Sequence, residues 1–230
     1  MEKELFYLII FSAVMTILFV IGFLCLTAFG VEKNKNGGIQ IGGDEYVDYS
    51  KYQTQYREGI KGERKAFAFI KSIIRKDEYL LTNVLLPISE DNFSEIDCVL
   101  ISRKGLFCIE IKNWSGIIKG NEQDYHWYLA RFDRKNIFEE RYNPVKQNQK
   151  HCDYLEELFE YKYSVDNIVI FSDLDNLKRI ISKHTFRLSD FEYCFKSLED
   201  DQLTKKQVDD ICLKLSSYVK NEYLVTQITH

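Results

Sequence analysis

The chain has 230 residues, which is enough for one domain of ordinary size and a small additional element. Apolar residues make up 45% of it and aromatic residues 14%, so a substantial hydrophobic core can form. The formal net charge of -4 counts against a uniformly basic nucleic-acid-binding domain, because such domains hold phosphates with lysine and arginine. A local basic patch is still compatible with this total.

The first element is an apolar run over residues 5–29, which contains no charged side chain. Its length suffices to cross a bilayer, and we expect a single-pass transmembrane anchor. The alternative is a cleaved signal peptide, because residues 28–30 loosely resemble a cleavage site. The run is longer than the apolar part of a typical signal, and its leader is poorly basic. Lys33 and Lys35 follow the run and favour a cytoplasmic C-terminal domain, held at the membrane.

The cysteines and histidines carry no metal-binding pattern. None of the six cysteines forms a Cys-x-x-Cys pair, so they are expected to be small buried apolar residues in a reducing compartment. The histidines are scattered, and no zinc site is predicted from them: His126, His151, His184 and His230. Trp114 and Trp127 are candidates for stacking on bases, although core packing is the commoner role of such residues.

Helices and strands alternate after a polar, glycine-rich linker over residues 30–50. The predicted helices cover residues 52–75, about 144–161 and 204–220, and the predicted strands cover residues 79–86, 94–102, 105–112, 117–119, 125–132 and 167–171. Another strand is predicted near residues 185–186, followed by a loop. This order predicts an α/β fold with a mixed sheet flanked by helices. We expect a domain core over residues 51–175 and an extension over residues 176–230 that packs on the same domain.

The organising element is a β-hairpin over residues 94–112, with Gly105 at its turn. Both strands are apolar on both faces, yet they contain Asp97, Glu110 and Lys112. Buried charges are costly unless they are paired or bind a metal ion. Side chains alternate along a strand, so Glu110 and Lys112 point to the same face. Two carboxylates and an amine suit a divalent metal site; the alternative is a structural salt bridge between Glu110 and Lys112.

Two helices contribute further polar candidates. Glu63 lies on the inward face of the first helix, at helical spacing from Phe67 and Ile70, where a carboxylate needs a partner. The alternative is a glutamate still exposed to solvent at the helix end. In the next helix, the Asn143-Pro144 pair suits a helix start, and Gln147 heads a buried stripe.

These residues, taken together, resemble the NERD (nuclease-related) domain, a branch of the PD-(D/E)XK nuclease-like superfamily. The resemblance covers about residues 57–171, and its most specific part is the stretch Glu-Ile-Lys-Asn-Trp-x-Gly at residues 110–116. The matching positions are Gly62-Glu63, Ile96-Asp97, Glu110-Ile111-Lys112, Trp114, Gly116, Trp127, and Asn143-Pro144 with Gln147.

The resemblance implies a restriction-endonuclease-like sheet and a site for one or two Mg²⁺ or Mn²⁺ ions. Asp97 and Glu110 would hold the metal, and the backbone carbonyl of Ile111 would be a further oxygen ligand. Ile96 replaces the superfamily's proline before the aspartate. That proline is not a ligand, so the change casts little doubt on activity.

The resemblance also implies catalytic roles for the other polar candidates. Lys112 would orient the attacking water and stabilise charge on the phosphate, and Glu63 would complete the acidic cluster. Gln147 would position the substrate or a metal-bound water. The implied reaction is metal-assisted hydrolysis of a phosphodiester bond.

The sequence therefore predicts a membrane-anchored, metal-dependent nuclease. Its expected partners are nucleic acid, with DNA favoured over RNA, and the lipid bilayer through residues 5–29. The alternative is a catalytically inactive nuclease-like module that binds or senses a ligand at the cytoplasmic membrane surface.

Overall fold

A computed structural model describes residues 32–33, 39–40, 49–89, 92–130, 138–173 and 177–219. The chain divides into two compact units, residues 1–57 and 58–230. In the first unit, β1 (Glu32–Lys33) and β2 (Ile39–Gln40) form an antiparallel pair. No helix in the described ranges is both long and apolar enough to span a bilayer. The anchor predicted over residues 5–29 lies outside those ranges.

The core of the second unit is a mixed sheet of five strands in the order β11-β9-β5-β4-β3. Strands β3, β4 and β5 are antiparallel, whereas β5, β9 and β11 run parallel. The strands are β3 (Tyr79–Pro87), β4 (Phe93–Ser102), β5 (Gly105–Lys112), β9 (Val165–Phe171) and β11 (Thr185–Arg187). The predicted hairpin is confirmed as β4 and β5, whose residues Ser102 and Gly105 pair across the turn.

A second, smaller sheet has the strand order β10-β6-β7-β8. Its strands are β6 (Ile117–Asn121), β7 (His126–Ala130), β8 (Phe138–Tyr142) and β10 (Ile180–Ile181). The first three form an antiparallel meander, and β10 pairs parallel with β6. The strands at 117 and 125 were predicted, but the sequence did not show that they belong to a separate sheet.

In the part of the chain that the structure describes, four helices flank the sheets: α1 (Tyr49–Ile73), α2 (Pro144–Leu158), α3 (Leu188–Ser197) and α4 (Lys205–Ser216). Helices α2 and α4 contribute Leu155 and Ile211 to one core cluster, and α1 and α3 contribute Ile70 and Phe191 to another. The mixed α/β architecture predicted from the sequence is thus confirmed.

The loop predicted after residue 186 is wrong, because α3 occupies residues 188–197. This helix has only ten residues, and no side-chain hydrogen bond from Arg187 caps its N-terminus, so the sequence carries no capping signal for its start. Tertiary contacts stabilise it: Phe195 packs edge-on against Phe107 of β5, with ring centroids 5.6 Å apart.

The predicted cap at Asn143 determines where α2 begins. The Asn143 side-chain oxygen accepts hydrogen bonds from the amides of Val145 and Lys146, and Pro144 occupies the first turn. Its amide nitrogen donates to three backbone carbonyls of the β6–β7 turn, at Asn121, Glu122 and Asp124. One buried side chain thereby joins α2 to the small sheet and places Gln147 in the first helical turn.

Close packing at Gly62 brings α1 against the ends of β5 and β9. A Cβ atom at this position would lie 2.4 Å from the Cβ of Asn113 and 2.7 Å from the Oγ of Ser172. Any larger residue would therefore push the helix away.

Candidate active site

The candidate site lies where β4 and β5 separate, at the end of the hairpin opposite its turn. Their paired register ends at Cys98 and Ile109, and Asp97 and Glu110 are the next residues on each strand. Strand alternation places both carboxylates on the face of Val99 and Cys108, which belong to the core cluster under α2. The two side chains therefore face the same side of the sheet, which is one condition for sharing a metal ion.

Glu110 is buried and only partly hydrogen-bonded. Its Oε1 accepts hydrogen bonds from the Lys112 Nζ at 2.5 Å and from the Gln147 Nε2 at 2.9 Å. Its Oε2 is buried and accepts no hydrogen bond from the residues that the structure describes, and the Nδ1 of His151 lies 3.7 Å away. A buried carboxylate oxygen without a partner is energetically unfavourable, which makes this atom a candidate ligand for a cation.

Asp97 is held by the backbone of the neighbouring strand. Its Oδ2 accepts a hydrogen bond from the amide of Ile111 at 2.7 Å. Burial and the negative charge of Glu110 raise the pKa of Asp97 well above its usual range, although the Ile111 amide and the Lys112 charge oppose this effect. Two carboxylates that repel each other in a poorly solvated place would both be stabilised by a shared cation.

Lys112 is oriented by two hydrogen bonds, one to each side chain that faces it. Its Nζ donates to Gln147 Oε1 at 3.1 Å as well as to Glu110, and it lies 5.9 Å from the ring centroid of Trp114. Gln147 therefore bridges Glu110 and Lys112, and its role in positioning the substrate or a metal-bound water stays a prediction. The predicted salt bridge between Glu110 and Lys112 is present too, so this contact by itself does not distinguish the two readings.

Glu63 lies near this cluster, but it has no hydrogen bond to Asp97, Glu110 or Lys112. It is half-buried, and its pKa is raised by burial, then by the charges of Glu95 and Glu110. Its link to the site is therefore electrostatic. In the described ranges, no three His, Cys, Asp or Glu side chains are grouped so that they could hold a metal ion.

His151 is a member of the site that sequence analysis missed. It was counted among scattered histidines, but its ring is buried and its Nδ1 points toward Glu110 without a hydrogen-bond partner. Burial lowers its pKa, although Glu110 acts in the opposite direction. The available signal was its spacing from Gln147, because residues four apart lie on the same face of a helix.

The two tryptophans pack in the core rather than at an open binding surface. Trp127 is fully buried, donates from its Nε1 to the carbonyl of Asn121, and stacks on Phe171. Trp114 is half-buried and packs edge-on against the same ring. The core-packing alternative is therefore correct for Trp127.

The donor set fits a hard divalent cation. Asp97 and the Glu110 Oε2 would supply carboxylate oxygens, and the backbone carbonyl of Ile111 remains the predicted third ligand. Oxygen donors of this kind suit Mg²⁺ and Mn²⁺. The orphaned Glu110 Oε2 is the structural observation that supports the fit.

The fold and the site together define an α/β protein that carries a carboxylate–lysine centre at one end of a mixed sheet. Residues 58–172 match the model of the nuclease-related domain (NERD) family. A protein of Bacillus anthracis described as uncharacterized is 30% identical over 158 residues, which cover 67% of this chain and 73% of that protein. The chain belongs to the NERD family. No solved structure matches it.

Proposed function

We propose that this protein is a metal-dependent nuclease that hydrolyses phosphodiester bonds, acting on DNA in preference to RNA. Its catalytic core is a restriction-endonuclease-like sheet, and residues 5–29 anchor it in a membrane with the nuclease domain on the cytoplasmic side. Membership of the nuclease-related family supports the reaction class. The observation that carries the proposal is the unpartnered Glu110 Oε2, on the same face of the sheet as Asp97.

In this proposal Asp97, Glu110 and the carbonyl of Ile111 hold Mg²⁺ or Mn²⁺. The chemistry that such an ion supplies when bound is activation of a water molecule and neutralisation of phosphate charge. The protein's own contribution begins with the burial of Glu110, which keeps its free oxygen directed into the site and shielded from water.

Lys112 and Gln147 act on the substrate side of the site. The Lys112 ammonium is fixed by Glu110 and Gln147, so its remaining proton is available to a phosphate oxygen or to the attacking water. The Gln147 amide fixes the distance between Lys112 and Glu110. Glu63 adds negative charge at the edge of the site and acts on water or metal ligands there.

A second candidate function is a catalytically inactive binding or sensing module. It is favoured by the direct Glu110–Lys112 ion pair, because this contact already compensates the lysine charge without any metal. In this reading the cluster is a structural ion pair. It leaves the Glu110 Oε2 unexplained, which is why we favour the nuclease.

The test uses the full-length chain in detergent, incubated with single-stranded and duplex DNA and RNA in Mg²⁺ or Mn²⁺. We expect cleavage by the wild type and loss of cleavage in Asp97→Asn, Glu110→Gln and Lys112→Ala. Lys206→Gln is the matched control, because Lys206 is an exposed lysine on α4. A wild-type chain that cleaves none of these substrates in either metal refutes the nuclease.

Calorimetric titration with Mn²⁺ separates the two candidates. Binding that disappears in both Asp97→Asn and Glu110→Gln supports the metal site. If the ion binds in this way but no substrate is cleaved, the sensing module is the better description.

A further inference from the structure

A surface rich in tyrosine and lysine lies beside the candidate site. It consists of Tyr125 in the β6–β7 turn, Tyr142 at the end of β8, and Lys146 and Lys150 on α2. We call it the tyrosine–lysine surface. The Lys146 Nζ lies 4.7 Å from the ring centroid of Tyr125, and the Lys150 Nζ lies 5.5 Å from that of Tyr142. Each of the two lysines therefore has a tyrosine ring beside its ammonium group.

The tyrosine–lysine surface adjoins the carboxylate–lysine centre through α2. Lys146 directly precedes Gln147, which contacts both Glu110 and Lys112, and Lys150 directly precedes His151. Lys146 and Lys150 are one helical turn apart, so they form a row parallel to the row of site residues. A polymer bound along the lysines would therefore pass next to the proposed metal ligands.

The aromatic rings of this surface are accessible. Tyr125 is 71% exposed and Tyr142 is 39% exposed. Strand pairing places His126 opposite Tyr142, and Tyr128, which is also exposed, lies on the same sheet face. Large aromatic side chains on an open sheet face can stack on bases.

The charges of the two lysines are not compensated by carboxylates. Among the described residues, neither Lys146 nor Lys150 forms an ion pair, and their contacts are with tyrosine rings. Cation–π contacts at exposed sites are weak, so the ammonium groups can move to a phosphate at little cost. Glu140 is an acidic residue exposed on the same sheet face and pairs across the strands with Tyr128.

We propose that the tyrosine–lysine surface binds an unpaired strand of nucleic acid, with bases stacked on Tyr125 and Tyr142 and phosphates held by Lys146 and Lys150. The bound strand would be the substrate of the proposed nuclease. That this strand is then cleaved rests on the function proposed above. A single strand is preferred because the base faces of a duplex are covered by their neighbours, which leaves the tyrosines nothing on which to stack.

Binding is measured with the full-length chain in detergent and EDTA, by the fluorescence anisotropy of a labelled DNA oligonucleotide, single-stranded or annealed to its complement. The double variant Lys146→Gln/Lys150→Gln should raise the Kd for the single strand roughly tenfold. It should also lower the slope of log Kd against log salt by about 1.4, because each of the two lost phosphate contacts contributes ~0.7 to that slope. Tyr125→Leu/Tyr142→Leu should raise that Kd at least roughly tenfold and change duplex binding less than about twofold.

Matched controls are Lys206→Gln on α4 and Tyr193→Leu on α3, where Tyr193 is 81% exposed. Both should leave the Kd unchanged, whereas Glu140→Gln should lower it by removing a negative charge from the binding face. Circular dichroism of each variant verifies its fold. Unchanged single-strand affinity in both double variants overturns the proposal, as does tight duplex binding that the tyrosine substitutions do not affect.

The outcome also separates this proposal from the nuclease itself. Binding through the surface without cleavage in any metal refutes the nuclease and leaves the surface intact. Cleavage with an unchanged KM in both double variants refutes the surface and leaves the nuclease intact. If both proposals hold, the double variants raise KM and keep the wild-type kcat.

Discussion

Two buried glutamates lie at opposite ends of the β4–β5 hairpin, and their surroundings differ. Glu78, near the turn, has both carboxylate oxygens hydrogen-bonded: Oε1 accepts from Ser102 Oγ and Arg75 Nη2, and Oε2 accepts from the Arg75 amide. Glu110, at the open end, is equally buried, but only one of its oxygens is hydrogen-bonded.

This difference accords with a structural role for Glu78 and with the metal-ligand role that we propose for Glu110. At Glu78, hydrogen bonds from a guanidinium, a hydroxyl and a backbone amide compensate the free energy lost when the carboxylate is removed from water. At Glu110 the compensation is incomplete, and Asp97 adds a second negative charge nearby. A fold retains such an arrangement when a ligand completes it, which is the basis of the metal site proposed above.

The largest expected difference between substitutions at Glu110 and at Glu78 is in nuclease activity. Glu110→Gln should reduce nuclease activity about 10³-fold or more, because several kcal/mol of metal-dependent stabilisation are lost. Glu78→Gln should keep the wild-type rate at a temperature where it is folded, since Glu78 lies at the other end of the hairpin. Steady-state cleavage of a labelled oligonucleotide measures both. Equal losses in the two variants would show that burial alone, rather than the free oxygen, makes a glutamate important here.

Metal binding should stabilise the protein only when Glu110, at the open end of the β4–β5 hairpin, is intact. Mn²⁺ at a hundredfold excess over its Kd should add about 2.7 kcal/mol to the free energy of unfolding, because it binds the folded chain alone. Thermal unfolding with and without Mn²⁺ tests this in the wild type, Glu78→Gln and Glu110→Gln. A rise in Tm that persists in Glu110→Gln would place the ion elsewhere.

Arg75→Ala should destabilise the turn end by about 2–3 kcal/mol, since it removes the charged partner of a buried carboxylate whose other contacts remain. The value is below that of a fully buried pair because the Arg75 side chain is 46% exposed. Urea unfolding measures the loss. Lys76→Ala, at the exposed lysine that follows Arg75, is the control; a loss in Arg75→Ala no larger than in this control would contradict the structural role of Glu78.

Gly62→Ala should cost about 1–3 kcal/mol, because the added Cβ overlaps Asn113 and pushes α1 from the open end. Gly59→Ala in the same helix is the matched control. A Cβ at Gly59 meets no atom within 4 Å, so this change should stabilise the helix by up to about 1 kcal/mol. Urea denaturation of the pair measures the contrast, and equal effects would rule out close packing as the reason for Gly62.

The smallest effect belongs to an exposed ion pair. Hydrogen bonds from Arg187 lower the pKa of Asp190, but both side chains are about 40% exposed. Asp190→Asn should therefore cost less than about 1 kcal/mol at neutral pH. Because the folded pKa is the lower one, this stabilisation is present above the pKa of an unfolded aspartate and disappears as pH falls through the folded value. The Tm of the variant should lie slightly below that of the wild type at neutral pH, and the two Tm values should converge at acidic pH.

Local patterns in the sequence were sufficient to predict much of the fold. The hairpin follows from its apolar strands around Gly105, and the start of α2 follows from the Asn143-Pro144 pair, because turns and caps depend on neighbouring residues. Helix α3 was missed because it is short and begins without a side-chain cap, and because its contact with Phe107 joins residues that are distant in the chain. The division into two sheets was missed because strand pairing is not encoded locally.

Of the candidate site, the sequence by itself determined that Glu110 and Lys112 share a face, since side chains alternate along every strand. Only the tertiary structure decided that Asp97 lies beside Glu110 and that Gln147 and His151 close the cluster from α2. Strand register sets the first of these contacts and helix packing sets the second. Both kinds of contact join residues that are distant in the chain. The sequence alone therefore could not show that the Glu110 Oε2 is buried without a hydrogen-bond partner among the described residues.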